Sequence, residues 1–408
     1  MQDNEKKPAL RFKGFTDPWE QRKLGELVEI GDIDHRMPET VADGIPYLMT
    51  GDFVGTNELN FDGTKMISEE DYCQLSQKIK PEKGDILFAR YASVGAARYV
   101  DFTRKFLISY SCAIIKKSKK INSKYLYHFI TSGKVQQQIK LEINTGSQAN
   151  IGIDSMKNHI VVSMPPLEEQ TKIADALSNL DHLITLHQRK YEKLVNIKKS
   201  MLDKMFPKNG ASVPEIRFKG FTDLWEQRKL EEYLEVSGQK NFEGIYTKED
   251  VLSVSGDFGI VNQIEFQGRS FAGASVANYG VVETGDIVYT KSPLKSNPYG
   301  IIKANKGKNG IVSTLYAVYK PKQSANPEFV QIYFEQDARM NNYMHPLVNK
   351  GAKNDMKVSA ENALKGQIVF PDIKEQRTIS EFFRNLDTLI TLHQRKLEKL
   401  AQIRKAFA

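Results

Sequence analysis

The sequence predicts an α+β protein in which two pseudo-symmetric α/β domains are separated by a pair of long antiparallel coiled-coil helices. Three observations carry this reading. RFKGFTDPWEQRKL at 11–24 returns as RFKGFTDLWEQRKL at 217–230, identical at 13 of 14 positions with an offset of 206. NLDHLITLHQRKYEKL at 179–194 returns at the same offset as NLDTLITLHQRKLEKL at 385–400, identical at 14 of 16. Between these matched frames, short β-like runs and helical stretches recur in the same order under dissimilar side chains. The repeat is too long for a solenoid unit of roughly 20–50 residues, so each copy is one globular block plus frame elements.

Taken in order, 1–24 is an N-terminal frame segment and 25–166 the first block. That block holds β-like runs at Asp85–Ala89 and Cys112–Ile115 and a helical stretch at Ser123–Phe129. Pro165 and Pro166 stop the strand before the first long helix, assigned to 167–207, whose N-terminus carries Glu168, Glu169 and Asp175 and which Pro207 ends. Apolar or neutral residues fall at Ile173, Leu177, Leu180, Ile184, His187, Tyr191, Leu194, Met201 and Met205, a 4-3-4-3 spacing broken at Lys198. A linker at 208–230 repeats the N-terminal segment, and the second block, 231–372, parallels the first with Asp286–Tyr289, Tyr316–Tyr319 and a helix near Pro327 to Gln336. The second long helix, 373–408, repeats the seam at Ile379, Phe383, Leu386, Ile390, His393, Leu397, Leu400 and Phe407, broken at Arg404. The two helices pair most simply antiparallel, and a helix over 173–205 would span about 50 Å at ~1.5 Å per residue.

Composition bounds function. With 408 residues, 40% hydrophobic and 26% charged, the chain is neither disordered nor collagenous, and no run reaches the ~18 apolar residues of a membrane span. Cys73 and Cys112 cannot form a disulfide framework or a four-ligand zinc site, so a reduced cytosolic protein is expected. Of the +8 net charge, none lies in 25–165 (17 basic, 17 acidic) or 231–371 (15 and 15). Within them the signs segregate: 102–141 holds nine Lys or Arg and no acid, 287–327 seven and none, from which one basic face per block is expected.

Candidate contacts follow the strands. Arg90, Tyr91 and Ser93 follow one, and Lys291, Ser292, Lys295 and Asn297 follow its counterpart; the loops with Thr145, Ser147, Gln148 and Asn150, and with Lys350, Lys353 and Asn354, have the same character. Arg, Asn and Gln are bidentate base readers, whereas Ser, Thr, Lys and backbone N–H groups hold phosphates. Each residue alone reads better as an ordinary solvated loop position; recurrence at matched places is what favours nucleic acid. His187 and His393 share one seam position and read as register-setting polar residues or as a pH-sensitive contact. Gln188-Arg189-Lys190 and Gln394-Arg395-Lys396 read as a solvated face or as a landing site for a partner.

Catalytic signals are missing. Gly300–Lys308 has the wrong spacing for a phosphate loop, Asn297-Pro298-Tyr299 lacks the second proline of an amino-methyltransferase motif, and Asp372-Ile373-Lys374 is half a nuclease motif. No catalytic residue, metal site or cofactor site is assigned. A structural adapter that joins protein partners is the rival reading; the acid-free stretches argue against it.

The Trp-Glu entries at 19 and 225, the Gly-Asp-Ile strands, the Thr145-Gly146-Ser147 loop and above all Met164-Pro165-Pro166-Leu167-Glu168-Glu169-Gln170 with Ile173-Ala174 resemble the specificity subunit of type I restriction-modification enzymes. The resemblance covers essentially the whole chain; the second copy departs from it with Phe370-Pro371-Asp372-Ile373-Lys374-Glu375-Gln376 and Lys350-Gly351-Ala352. It implies a non-catalytic DNA-reading subunit whose two target recognition domains each bind one half of a split, asymmetric site, with the helices setting the spacer. It further implies two methylation subunits carrying S-adenosylmethionine, which flip the target adenine, and restriction subunits that use ATP and Mg. Half-sites on one face of DNA lie roughly 34 Å apart.

Overall fold

The computed structural model describes residues 8, 10–146, 148–208, 211–291, 297–348 and 358–407. The chain divides into two compact units, 1–190 with 393–408, and 191–392. The division therefore runs through both long helices, because each part of a helix packs with the block beside it.

In the first unit, an antiparallel sheet runs in the order Ile30–Gly31, Cys112–Ile115, Ile86–Ala89, Ala97–Tyr99. Ile86 faces Ile115 and Ala89 faces Cys112. The two central strands are continuous apolar runs because both faces are covered. Ile86, Phe88, Ala113 and Ile115 join the core under the helices Ser123–Ile130 and Gly133–Leu141. Leu87, Cys112 and Ile114 face the other way, onto a small sheet of Lys65–Ile67, Ile45–Leu48 and Leu107–Ile108. The second unit repeats the order: Leu234–Val236, Tyr316–Pro321, Ile287–Thr290, Ile302–Ala304. Ile287 and Tyr289 pack toward the helices Pro327–Tyr333 and Asp337–Met344, and Val288 toward a smaller cluster on the opposite face.

The residues repeated in sequence are repeated as polar bolts. Arg11 forks onto Glu169 (Nε to Oε1 3.0 Å, Nη2 to Oε2 2.7 Å), and Arg217 onto Glu375 at 2.7 Å for both bonds. Glu169 and Glu375 are both 0% exposed, which is tolerable only because the paired guanidinium satisfies both oxygens. The neighbouring glutamines cap a helix of each block. Gln170 accepts from the backbone N–H of Asn122 at 2.9 Å and donates to Pro165 O, and Gln376 accepts from Asn326 N–H at 2.9 Å and donates to Pro371 O. Asn122 and Asn326 are in turn the side-chain N-caps of the helices that follow. The Glu-Gln pair thus ties frame, helix start and block together.

A third duplicated device sits at the Gly-Asp turns. Gly84 and Gly285 hold φ of +98° and +94°, a conformation that favours glycine. Asp85 accepts from Glu82 N–H at 2.8 Å and Asp286 from Glu283 N–H at 2.7 Å. Lys116 and Lys320 reach back to these aspartates at 2.6 and 3.1 Å.

The frame segments contribute strands as well. Glu20–Lys23 pairs with Val161–Met164, and Glu226–Lys229 with Gln367–Phe370. Each Glu-Gln-Arg-Lys run is exposed at all four residues, so main-chain ladder bonds, not side-chain burial, hold it.

The long helices span Leu167–Lys204 and Ile373–Phe407. Their apolar spacing has two uses. Ile173 packs on the core of the first block, a cluster with no residue of the second long helix among those described, which corrects its assignment to a helix–helix seam; Ile379 and Phe383 lie in a core that also takes in Leu202, Met205 and Phe206 at the end of the first long helix. Leu177 and Leu386 are buried, and Leu180, Ile184 and Ile390 half-buried. Where the spacing breaks, an ion pair crosses between helices: Arg404 to Asp181 in the first unit, and Lys198 to Asp387 at 2.8 Å in the second. Within the first unit His187 meets His393 at 2.8 Å between Nδ1 atoms. Asp181 with Arg404 and His187 with His393 give an antiparallel direction there; Lys198 with Asp387 and Phe206 with Phe383 give the same direction in the second unit.

Candidate nucleic-acid interface

The two contact loops of the first block come together at the end of the Ile86–Ala89 strand. Tyr91 bridges Asn150, Asn144 bridges Asn150, and the Ile151 N–H donates to Arg90 O at 3.1 Å. Arg90 is 6% exposed. Its guanidinium donates to Asp32 and, through Nε, to Ile151 O at 3.1 Å. It therefore clamps the loops rather than presenting free donors. Burial acts to raise the Asp32 carboxyl, but the His35 hydrogen bond and the charges of Arg90 and Lys78 outweigh it and hold it below its ordinary value. What the clamp presents outward is Ser93, Thr145 and Gln148, with Tyr91 and Asn150 half-exposed beside them. Ala92 stands at φ +58°, a left-handed conformation unusual for a residue with a Cβ, which turns the chain sharply between Tyr91 and Ser93. Ser147 lies outside the described residues.

The second block builds the same place differently. Lys291 follows the Ile287–Thr290 strand and is half-buried; burial first, then neighbouring Lys240, push its pKa down. Asn297 is buried and donates to Asp337 at 2.6 Å, fixing the far end of the loop. Gly300 is indispensable there, since a Cβ would lie 1.9 Å from Thr290 O. Ser292, Lys295, Lys350, Lys353 and Asn354 lie outside the described residues.

The acid-free stretches do not translate into uniformly basic faces, because acids from elsewhere in sequence fold onto them. Lys105 pairs with Glu69, Lys116 with Glu82 and Asp85, and Lys320 with Glu283 and Asp286. Lys303 is buried. Lys117, Lys119, Lys120 and Lys124 in the first block, and Lys306, Lys308 and Lys322 in the second, remain on the surface. Sequence reasoning missed Asp32, His35 and Asp337, which position loops through hydrogen bonds closed only by the fold; the run Asp32-Ile33-Asp34-His35-Arg36, two acids followed by an imidazole and a base, was the available signal. It also missed Leu183 and Leu186, and their repeats Leu389 and Leu392, which stay exposed on the helices at 39–44%. Among the described residues no cluster of three or more side chains could hold a metal, and no helix is long and apolar enough to cross a membrane.

Residues 16–196 match the family model of the type I restriction modification DNA specificity domain. Over 96% of its length the chain is 24% identical to a putative type I restriction enzyme MjaX specificity subunit of Methanocaldococcus jannaschii, covering 92% of that protein. It is 22% identical to the type I restriction enzyme EcoKI specificity subunit of Escherichia coli over 81% of this chain and 74% of that one. Its fold is similar to the crystal structure of a type I restriction-modification S subunit from M. genitalium, with a TM-score of 0.59 at 16% identity and 98% of each chain covered.

Proposed function

We propose that the chain is a type I restriction-modification DNA specificity subunit, a non-catalytic recognition subunit of such a complex, as the matches to that family support, and that its two units divide the work. Each reads one half of a bipartite, asymmetric site in double-stranded DNA. The observation that carries this is the pairing of one duplicated frame, bolted by Arg11–Glu169 and Arg217–Glu375, with two unlike surfaces at the same strand end. In the first unit Tyr91, Ser93, Thr145, Ser147, Gln148 and Asn150 contact DNA, with Arg90 as the residue that positions them. In the second, Lys291, Ser292, Lys295, Lys350, Lys353 and Asn354 do so, with Asn297 anchoring the loop. Gln148 and Asn150 suit base edges, whereas the hydroxyls and the lysines suit phosphates, so more of the second unit's contacts fall on the DNA backbone.

The helices set the spacer and dock two methylation subunits, for which the exposed Leu183–Leu186 and Leu389–Leu392 pairs supply apolar contact and Arg189 and Arg395 charge. S-adenosylmethionine, ATP and Mg sit on the methylation and restriction subunits, and the complex works in the bacterial cytoplasm. A long-read methylation map of a host lacking adenine methylation, expressing the cognate methylation subunit with and without this chain, tests the reading. A two-part motif with methyladenine in both halves is expected only when the chain is present. Absence of any motif, while the same methylation subunit works with another specificity chain, would overturn it.

A further inference from the structure

The first unit holds a histidine beside its contact loops that the loops themselves do not use. His35 lies on the exposed segment that follows the Ile30–Gly31 strand. Its Nε2 meets Asp32 Oδ2 at 2.8 Å, and its ring stacks on Tyr110 with centroids 5.0 Å apart and planes 23° from parallel. The same Asp32 oxygen takes the Arg90 guanidinium, and Lys78 stands 3.6 Å from the other oxygen. One buried carboxylate therefore joins His35 to the clamp that gathers the contact loops.

That carboxylate decides what the ring offers. An ionised carboxylate only accepts, so Nε2 carries a proton and donates it to Asp32, and Nδ1 is the atom that gains or loses the second proton. Among the described residues Nδ1 has no hydrogen-bond partner, and the His35 side chain is 58% exposed. A single donor on a fixed ring edge cannot make the paired bonds by which Arg, Asn or Gln tell bases apart, but it suits one phosphate oxygen. The fixed charges around the ring cancel: Arg90 and Lys78 stand against Asp32 and Asp34, whose Oδ1 accepts the His35 N–H at 3.0 Å, and Arg36 is engaged by Asp71 at 2.7 Å. A proton on His35 is what makes this corner positive. The second unit lacks the arrangement. Counted along the paired strands, Gly238 stands where the first unit has Asp32, and Lys291 where it has Arg90.

We propose that His35 is a further DNA contact of the first unit, an imidazolium that donates from Nδ1 to one backbone phosphate of the first half-site while Asp32 holds Nε2. The inference rests on the DNA-reading function proposed above and adds a contact to it. In the complex the ring lies between a carboxylate and a phosphate, so binding takes up a proton from solvent at Nδ1, and affinity for the first half-site rises as pH falls through the histidine range.

The test uses the chain assembled with its cognate methylation subunit, a duplex carrying the mapped site and an unrelated duplex, with affinity read by anisotropy over a range of salt. The wild type should bind more tightly at about pH 6 than at about pH 8, either side of the ordinary imidazole value of ~6.5; carboxylates, Lys, Arg and Tyr ordinarily titrate outside this interval. His35→Gln keeps a donor toward Asp32 but cannot take up the proton. At about pH 6 it should weaken binding about threefold to tenfold on both duplexes and lower the salt slope by about 1, and the gain on acidification should shrink by the same factor. His35→Lys, charged throughout, should keep the wild-type affinity and slope of the lower pH at both. Unchanged affinity and slope in His35→Gln, while the wild type prefers its mapped site, would overturn the proposal and leave the DNA-reading function standing. A loss on the mapped duplex alone would make His35 a base reader, and a loss in His35→Lys equal to that in His35→Gln would make it a structural residue; either overturns the phosphate contact. A wild type without preference for the mapped site would overturn both readings.

Discussion

The two units solve the same construction problem with different interiors. Where they agree, a buried polar group is involved: the Arg–Glu fork, the Gln that caps a block helix, the Asp that closes the Gly-Asp turn. Such a group has one acceptable partner geometry and a large penalty for losing it. Where they differ, apolar volume is traded. Tyr125, Phe129, Leu177 and His128 of the first unit stand where Phe329, Tyr333, Phe383 and Ile332 fill the second, and the loops that face outward share almost nothing. A duplicated protein of this kind keeps its bolts and varies its fillings, and altered loops can ride on an unaltered frame.

The largest expected effect tests the bolts. Glu169→Ala and Glu375→Ala should each cost about 3–5 kcal/mol, because each strands a guanidinium that is at most 15% exposed. Urea unfolding of both variants checks it, and a silent result in one unit would break the equivalence of the frames. Filling is tested next. Phe383→Ala removes a fully buried ring and should cost about 3–5 kcal/mol, whereas Leu177→Ala, beside an open cavity, should fall near about 2 kcal/mol. Equal costs would mean that the surroundings of Leu177 are as tightly filled as those of Phe383.

A pH comparison sharpens the contrast at one residue. Burial pushes the His128 imidazole down to about 4 from its ordinary 6.5, with Asp181 opposing and Arg404 and Lys124 adding to the shift. A histidine held neutral in the fold takes up its proton more readily when unfolded. Its contribution is therefore complete above about pH 6.5 and is lost as pH falls toward 4. At ~1.4 kcal/mol per pKa unit the loss is about 3 kcal/mol. His128→Leu should flatten the acid limb of the stability curve by that amount; an unchanged limb would contradict the assignment. Smallest is the half-exposed ion pair between the helices in the second unit: Asp387→Asn should cost under about 1 kcal/mol in thermal unfolding.

Much of the fold was legible in the sequence because the repeat exposes its own frame. The long helices, the central strands after Gly84 and Gly285 and the capped helices at Ser123 and Pro327 all follow from periodicity and turn chemistry. The Glu20–Lys23 strand did not, since four polar residues with no alternation become a strand only through pairing with Val161–Met164, far along the chain. The seam misled at Ile173 because heptad spacing records that a position is buried, not which neighbour buries it. In the candidate site, the sequence located both loops by strand order but not the role of Arg90. Its partner Asp32 lies 58 residues upstream, and only the fold shows the guanidinium engaged. The basic stretches misled likewise, as Glu69, Glu82 and Glu283 arrive from outside them.

The central claim is that two independent readers share one frame. Replacing residues 231–371 with the corresponding block of another specificity subunit, and mapping methylation in the same host, tests it most directly. One half of the bipartite motif should change while the other half and the spacer stay as they were. A change in both halves would contradict the account.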